Sequence, residues 1–186
     1  MRTVVFGLNI TIDGVCDHTH VIADDELHRY YTELLRGADI IVFGRKTYEL
    51  MYPYWHDVAR NQSETDATNE FARTIDALPK IVVSTTLKSV KWKDSRIISG
   101  DLVEEVAKLK RQPGKNISIG GLSIASQLVP LGLIDHFHFV VHPMFAGTGK
   151  RLFESGLLTG SLPLRLAGSQ PFRSGAVALH YEKGAE

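Results

Sequence analysis

The feature that most constrains the fold is a regular alternation of two apolar patterns. Eight short runs rich in valine and isoleucine, each bounded by Gly, Pro, Asp or Ser, have the length and composition of β-strands. They lie at residues 3–10, 39–44, 80–84, 96–98, 116–120, 137–143, 163–168 and 176–182. Segments with apolar residues at helical spacing separate the earlier runs. This alternation predicts an α/β fold in which crossover helices join parallel strands.

The pattern changes near the end of the chain. Alternation continues to about residue 135, whereas the last two runs are separated only by a short polar segment around residues 170–175. Two strands joined so closely pair in antiparallel fashion. We therefore expect a mainly parallel central sheet of about eight strands with a C-terminal antiparallel hairpin and helices on both faces.

Composition favours one domain and argues against several classes of partner. The chain has 186 residues, 44% of them hydrophobic, and no repeat or linker divides it, so residues 1–186 are predicted to form a single domain. The 21 Lys and Arg residues balance the 21 Asp and Glu residues, which disfavours a nucleic-acid partner. A lone cysteine, Cys16, and the lack of a long apolar segment predict a cytoplasmic protein with no membrane partner.

Paired glycines at the end of a strand are the strongest indication of a ligand. Gly120 and Gly121 follow the β-branched run at residues 117–119 and precede helix-forming residues. Because glycine has no Cβ atom, the backbone there can approach an anion, and the positive end of the next helix favours negative charge. A Gly-Gly pair at this place is also a common tight turn. The motif predicts a phosphate site only together with other segments.

Two further strand ends supply such segments. The second strand is followed by a glycine, two cations and a hydroxyl residue, namely Gly44, Arg45, Lys46 and Thr47. Cations at the start of a helix are unfavourable unless an anion is near, and an arginine can hold a phosphate through two hydrogen bonds. Ser84 and Thr85 follow the third strand. Since ligands bind outside the carboxyl ends of parallel strands, these segments together predict a nucleotide site.

In their order along the chain, these motifs resemble those of the dihydrofolate-reductase-like superfamily. They are more closely similar to the reductase domain of the bifunctional riboflavin deaminase-reductase and its stand-alone bacterial relatives. The matching residues cover nearly the whole chain and are 11–14, 43–49, 82–85, 119–121, 133–135, 143, 147–149 and 152–153. The resemblance implies a dihydrofolate-reductase-like domain that transfers hydride from NADPH to a small heterocyclic substrate, pteridine-like or pyrimidine-like.

The resemblance also implies which residues hold the cofactor. At the matching positions these are Gly44, Arg45, Lys46, Thr47, Ser84, Thr85, Gly120, Gly121, Leu122, Ser123 and Ile124. The cations and hydroxyls favour NADPH over NADH because they can bind its additional phosphate. A homodimer is implied as well, through the final hairpin and the strand at 137–141. Ile119 and His136 stand where the riboflavin reductases have acidic residues, which disfavours the riboflavin intermediate as the substrate.

A reductase also needs a proton donor, or an ordered water, near the atom that is reduced. The catalytic candidates are Asp13, Asp24 and Asp25. Asp13 precedes Gly14, so an Asp-Gly turn explains it as well as a contact with substrate does. Asp24 and Asp25 open a helix, where capping of backbone amides accounts for carboxylates. The sequence does not choose among the three, and a non-catalytic NADP(H)-binding sensor is the alternative function.

Two further segments have competing interpretations. His136, His138 and His142 share one face of a predicted strand, but no third ligand lies near any pair in the sequence, so we expect no metal site. The aromatic segment at 51–56 is predicted to be a loop. It either stacks on a planar substrate or covers the core.

Overall fold

The computed structural model describes residues 1–152, 158 and 160–184 of the chain. Phe153, the last residue of the motifs quoted above, lies outside these residues. The described strands are β1 (Val4–Thr11), β2 (Ala38–Gly44), β3 (Lys80–Val83), β4 (Ser95–Ile98), β5 (Asn116–Gly120), β6 (His136–His142), β7 (Leu164–Pro171) and β8 (Val177–Lys183). The helices are α1 (Asp25–Arg36), α2 (Arg45–Asn61), α3 (Asp66–Ala77), α4 (Leu102–Arg111) and α5 (Leu122–Leu128), with one-turn 3₁₀ helices at His18–His20 and Val129–Leu131.

The strands form one eight-stranded sheet in the order β4-β3-β2-β5-β1-β6-β8-β7. The pairings from β4 to β6 are all parallel, and β8 pairs antiparallel with both β6 and β7. The predicted fold class, including the C-terminal antiparallel hairpin, is confirmed. Because β1 to β6 run in one direction, the sheet has a carboxyl edge, where these strands end, and an amino edge, where they begin.

Helices cover both faces of the sheet, and each face has its own apolar core. Val42 on β2 points into a core with α4 and α5, while its neighbours Ile41 and Phe43 point into a core with α1, α2 and α3. This period of two along β2 is the pattern of a strand buried on both sides. The starts of α1 and α3 are capped by side chains, since Asp24 accepts a hydrogen bond from the Leu27 amide at 2.8 Å and Thr65 caps α3 in the same way.

The prediction of an aromatic loop at residues 51–56 is wrong, because the whole segment lies inside α2. Tyr52 stacks on Tyr48 one turn earlier, with 5.7 Å between ring centroids, and Trp55 packs edge-on against Phe71 of α3 at 4.5 Å. These contacts hold the helix through Pro53, a residue that ordinarily interrupts helices. Tyr52 and Trp55 therefore cover the core, which is one of the two roles predicted for the segment.

Ion pairs connect neighbouring elements at the amino edge of the sheet. Arg2 Nη2 lies 3.0 Å from Asp39 Oδ2, and Lys110 pairs with Asp135. Asp135 also accepts a hydrogen bond from the Val4 amide at 2.7 Å, so its carboxylate ties the start of β1 to α4. Within the part of the chain that the structure describes, no helix has the length and apolar character needed to cross a membrane.

Candidate functional site

A cleft with a volume of about 480 Å³ opens at the carboxyl edge, beside the ends of β2 and β3. Its lining comes from segments that are far apart in the sequence: residues 44–46, 83–86, 98–100 and 123–124, with Gln127 and Lys150. The structure thus brings together Gly44, Arg45, Lys46, Ser84, Thr85, Ser123 and Ile124 from the residues predicted to hold a cofactor. The other four lie outside this lining: Gly121 approaches Thr47 of α2, Gly120 approaches the ring of Phe43, and Leu122 is the first residue of α5.

Two glycines allow these segments to approach one another closely. A Cβ atom built at Gly44 would lie 2.8 Å from Ser123 Oγ, and one at Gly121 would lie 2.3 Å from Thr47 Oγ1. Gly121 also has φ of 102°, a conformation that side chains disfavour. The close approach of α2 and α5 around the cleft therefore depends on these two positions being glycine.

Gly120 has a different role from its neighbour. A Cβ atom at this position would lie 2.5 Å from the ring of Phe43, and Phe43 belongs to the core between the sheet and α1, α2 and α3. The packing of that ring accounts for glycine at position 120. Of the paired glycines, Gly121 is the one whose missing side chain shapes the cleft.

The cleft carries positive charge. Arg45 Nη1 lies 2.9 Å from Glu49 Oε2 one turn along α2, so its charge is partly offset. No carboxylate of the described residues lies within 4 Å of the Lys46 ammonium, and none of the described residues lining the cleft is acidic. The helix start adds to this field, because Gly44 at the N-cap of α2 has no side chain to satisfy the first amides. A bound anion would balance the charges of Arg45 and Lys46 and would accept hydrogen bonds from the first amides of α2.

The end of β3 contributes hydroxyl groups in two ways. Ser84 is buried, and its Oγ accepts hydrogen bonds from the amides of Thr86 at 3.2 Å and Leu87 at 2.9 Å. Its hydroxyl oxygen therefore organises the turn that follows the strand. The side chains of Thr85 and Thr86 are exposed, so they are free to contact a ligand in the cleft.

Asp13 binds the segment that follows β6. Its carboxylate accepts hydrogen bonds from the Thr11 hydroxyl and from the amides of Ala146 at 3.1 Å and Gly147 at 2.8 Å. These bonds, led by the one from Thr11, lower the pKa of Asp13 to about 2. The carboxylate is ionised at neutral pH, and it holds in place the loop that carries Lys150 into the cleft.

Asp24 and Asp25 serve the start of α1. Asp24 Oδ1 caps the helix, and Asp25 bonds the Thr65 hydroxyl at 2.6 Å and pairs with Arg29. Asp24 lies close to His142, whose pKa is lowered mainly by burial, so this imidazole is neutral at neutral pH. The ring accepts from the Ile22 amide at 3.3 Å and donates from Nε2 to Asn9 Oδ1 at 3.1 Å.

Several residues of the cleft were not predicted from the sequence, and Lys150 and Gln127 are the two with long polar side chains. Lys150 follows Gly147, Thr148 and Gly149, and a glycine-rich loop that ends in a lysine is a recognisable phosphate-binding pattern. Gln127 lies one turn after Ser123 on α5, a spacing that puts both side chains on one face. The lysine after the glycine-rich loop could be recognised from the sequence alone, whereas the spacing of Ser123 and Gln127 is informative only once the bounds of α5 are known.

The family model of the RibD C-terminal domain matches residues 2–178, almost the whole chain. The chain belongs to this family. It is 29% identical over 186 residues to the uncharacterized protein YyaP of Bacillus subtilis strain 168, a match that covers 97% of this chain and 94% of YyaP. The resemblance to riboflavin-type reductase domains and their stand-alone relatives is therefore confirmed.

Two solved structures share the fold of this RibD C-terminal domain protein. A candidate riboflavin biosynthesis protein from Shewanella sp. PV-4 superposes with a TM-score of 0.69 at 19% identity, covering 100% of both chains. A pyrimidine reductase-like protein from Corynebacterium diphtheriae gives a TM-score of 0.64 at 17% identity, covering 100% of this chain and 93% of the other. At these identities the likeness concerns the fold.

Proposed function

We propose that this RibD C-terminal domain protein is a reductase that uses NADPH to reduce a small heterocyclic substrate. The observation that carries the proposal is the cleft at the carboxyl edge, where the glycine-started helix α2 and the Lys46 ammonium face no acidic group of the described lining. Ligands of open parallel sheets bind at this edge. Membership of the RibD C-terminal domain family supports the same function.

The residues present fit a phosphorylated dinucleotide. Gly44 and Gly121 let the starts of α2 and α5 approach each other closely beside the cleft, and the donors that line the cleft are cations, hydroxyls and backbone amides. We propose that Arg45, Lys46 and Lys150 bind phosphate groups and that Thr85 donates from the end of β3. The additional phosphate of NADPH gives these cations a partner that NADH lacks, which favours NADPH.

When it is bound, the cofactor supplies hydride to the substrate, and the protein positions both and arranges for a proton to reach the reduced atom. Asp13 is ill suited to donate that proton, since its pKa is lowered to about 2. We propose that Asp13 orders the loop carrying Lys150. We propose Asp24, next to the buried imidazole of His142, as the carboxylate that contacts substrate.

The substrate class is proposed from the fold relatives. A pyrimidine reductase-like protein is among the structures that share this fold, and a planar pyrimidine or pteridine ring is the substrate type that we propose here. The homodimer, the single domain and the cytoplasmic location remain predictions.

The cofactor proposal is tested by titrating NADPH and NADH calorimetrically into the wild-type protein and two cleft variants. Lys46→Ala and Arg45→Ala each remove a charge-assisted bond, so each should weaken NADPH binding about tenfold and NADH binding less. Lys93→Ala is the matched control, because Lys93 is an exposed cation outside the described cleft lining. The proposal would be contradicted if neither dinucleotide gave binding heat with the wild type, or if the two substitutions weakened the binding of NADPH and NADH equally.

A non-catalytic NADP(H) sensor is the second candidate, and one observation favours it. Each candidate acid already makes a structural bond: Asp13 to a loop, Asp24 as a helix cap and Asp25 to Thr65 and Arg29. The two functions are separated by an assay of NADPH oxidation. The absorbance of NADPH is followed in the presence of a panel of pterin, pyrimidine and quinonoid acceptors. Turnover with any acceptor supports the reductase, and tight binding without turnover across the panel supports the sensor.

A further inference from the structure

Three potential ligand side chains meet on the sheet at the start of β6 and the end of β8. His136 and Glu182 are directly opposite each other in the antiparallel pair, and His180 lies opposite His138. His136 Nδ1 is 3.0 Å from His180 Nε2 and 3.9 Å from Glu182 Oε1. All three ligand atoms lie within 4.8 Å of one another, and all three residues are partly exposed to solvent.

The two separations measured from His136 are close to those of a tetrahedral zinc site. Ligand atoms about 2.0–2.2 Å from zinc, at tetrahedral angles, are about 3.3–3.6 Å apart. The His136–His180 contact is slightly shorter than this and the His136–Glu182 contact slightly longer, so small rotations of the side chains would accommodate an ion. Two imidazoles and one carboxylate, with water at the fourth position, form a common ligand set for zinc.

The neighbouring groups fix the orientation of one of the three ligands. The ring of His138 stacks on His180 with 4.2 Å between centroids, and Tyr30 of α1 bonds His138 Nδ1 at 2.7 Å, so the His180 ring is held from behind.

One charged group opposes a cation. Arg165 of β7 pairs with Glu182 through Oε2, which leaves Oε1 directed towards His136. The guanidinium offsets part of the carboxylate charge, but its side chain is 66% exposed, so solvent screens the repulsion that a metal ion would feel. It also fixes the orientation of the carboxylate, as neighbours of metal ligands commonly do.

We propose that His136, His180 and Glu182 form a zinc-binding site that fastens β6 to β8. The site lies at the amino edge of the sheet. His136 and His142 are at opposite ends of β6, and the six residue steps between them span about 20 Å. Zinc is therefore expected to stabilise the C-terminal part of the sheet without entering the cleft at the carboxyl edge.

The experiment is calorimetric titration of Zn²⁺ into the untagged protein, together with thermal unfolding with and without the metal. One zinc ion per chain should bind, and at a concentration 100-fold above its Kd it should raise Tm by about 5–10 °C. His136→Gln should weaken zinc binding at least tenfold and abolish the Tm shift. Glu182→Gln, which keeps the shape of the side chain, should also weaken binding and serves if His136→Gln does not fold.

The matched control is the double variant His18→Gln/His20→Gln, which removes two histidines of the 3₁₀ helix at His18–His20. It should bind zinc as the wild type does. Titration with Co²⁺ adds a spectroscopic readout, because the visible absorption of a tetrahedral cobalt site should appear in the wild type and the control but not in His136→Gln. The proposal is overturned by absence of zinc binding, by unchanged binding in Glu182→Gln, or by loss of binding in the control.

Discussion

The two edges of the sheet differ in whether their cationic side chains have carboxylate partners within the chain. At the amino edge, cations meet carboxylates of the chain itself, as Arg2 meets Asp39 and Lys110 meets Asp135. At the carboxyl edge, Lys46 faces a cleft whose described lining contains no acidic residue, and α2 begins at a glycine that cannot cap it. Charges satisfied within the chain stabilise the fold, whereas charges left without a partner in a cleft indicate a ligand. This contrast distinguishes a structural edge from a binding edge without reference to any relative.

The largest effect is expected at the carboxyl edge, from Gly121→Ala. The methyl group would lie 2.3 Å from Thr47 Oγ1, at a residue whose φ of 102° already disfavours a side chain. Strain and overlap together should lower the free energy of unfolding by about 4 kcal/mol and weaken NADPH binding at least tenfold. Urea unfolding and calorimetry on the folded protein measure the two effects.

Gly100→Ala is the matched control for that substitution. Gly100 lines the same cleft, and a Cβ atom there would meet nothing within 4 Å. We expect it to change stability by less than about 0.5 kcal/mol. If Gly100→Ala impaired NADPH binding as strongly as Gly121→Ala, the cleft would not depend on the close approach at Thr47.

The second effect concerns the histidine cluster near the amino edge and its response to pH. Burial, with His180 and His136 nearby, lowers the pKa of His138 to about 4 from 6.5. Between these values the unfolded chain binds a proton that the folded chain does not, so stability falls as the pH drops from about 6.5 to about 4. A shift of this size corresponds to about 3 kcal/mol.

Urea unfolding at several pH values measures this dependence. His28, His142 and His180 add to it in the wild type, because burial lowers the pKa of each. The contribution of His138 is therefore the difference between wild type and His138→Phe, which keeps a ring against His180 and should flatten the curve. His18→Gln, at an exposed histidine, should leave the curve unchanged. Equal slopes in wild type and His138→Phe would show that His138 is charged in the folded protein.

The third and smallest effect is expected from Asp135→Asn at the amino edge. The substitution removes the charge that pairs with Lys110 and weakens the bond from the Val4 amide. Stability should fall by about 2 kcal/mol, while NADPH affinity stays unchanged because the opposite edge is untouched. Asp94→Asn, at an exposed carboxylate 4.0 Å from Lys93, is the control and should have almost no effect. A change in NADPH affinity with Asp135→Asn would mean that the edges are coupled.

The parallel centre of the sheet was predictable from the sequence because strands such as β2 and β3 are buried on both faces and therefore form continuous apolar runs. The start of α2 and the segment 51–56 were harder to assign. Pro53 and a cluster of aromatic residues are common in loops, and the contacts that keep them helical are made with Trp92 and Phe71, which lie far along the chain. Tertiary packing of this kind overrides local propensity.

The candidate site was predictable only in part, for a similar reason. Glycines and cations that directly follow strands could be placed at the carboxyl edge from topology alone. The role of Gly120 depends on the ring of Phe43, and the proposed zinc site depends on residues of β8 that lie opposite β6. Both contacts join residues that are far apart in the sequence, so no local sequence pattern predicts them.

The position of β1 has a consequence for how the chain acquires its structure during synthesis. Val4 pairs with Ile117 of β5 and Val5 with His136 of β6, so both sides of the first strand stay unpaired until much of the polypeptide has left the ribosome. Contacts at such long separation slow folding and expose apolar strands to aggregation in the meantime. A nascent chain arrested before residue 116 should accordingly be protease-sensitive, and one that extends through β6 should acquire resistance.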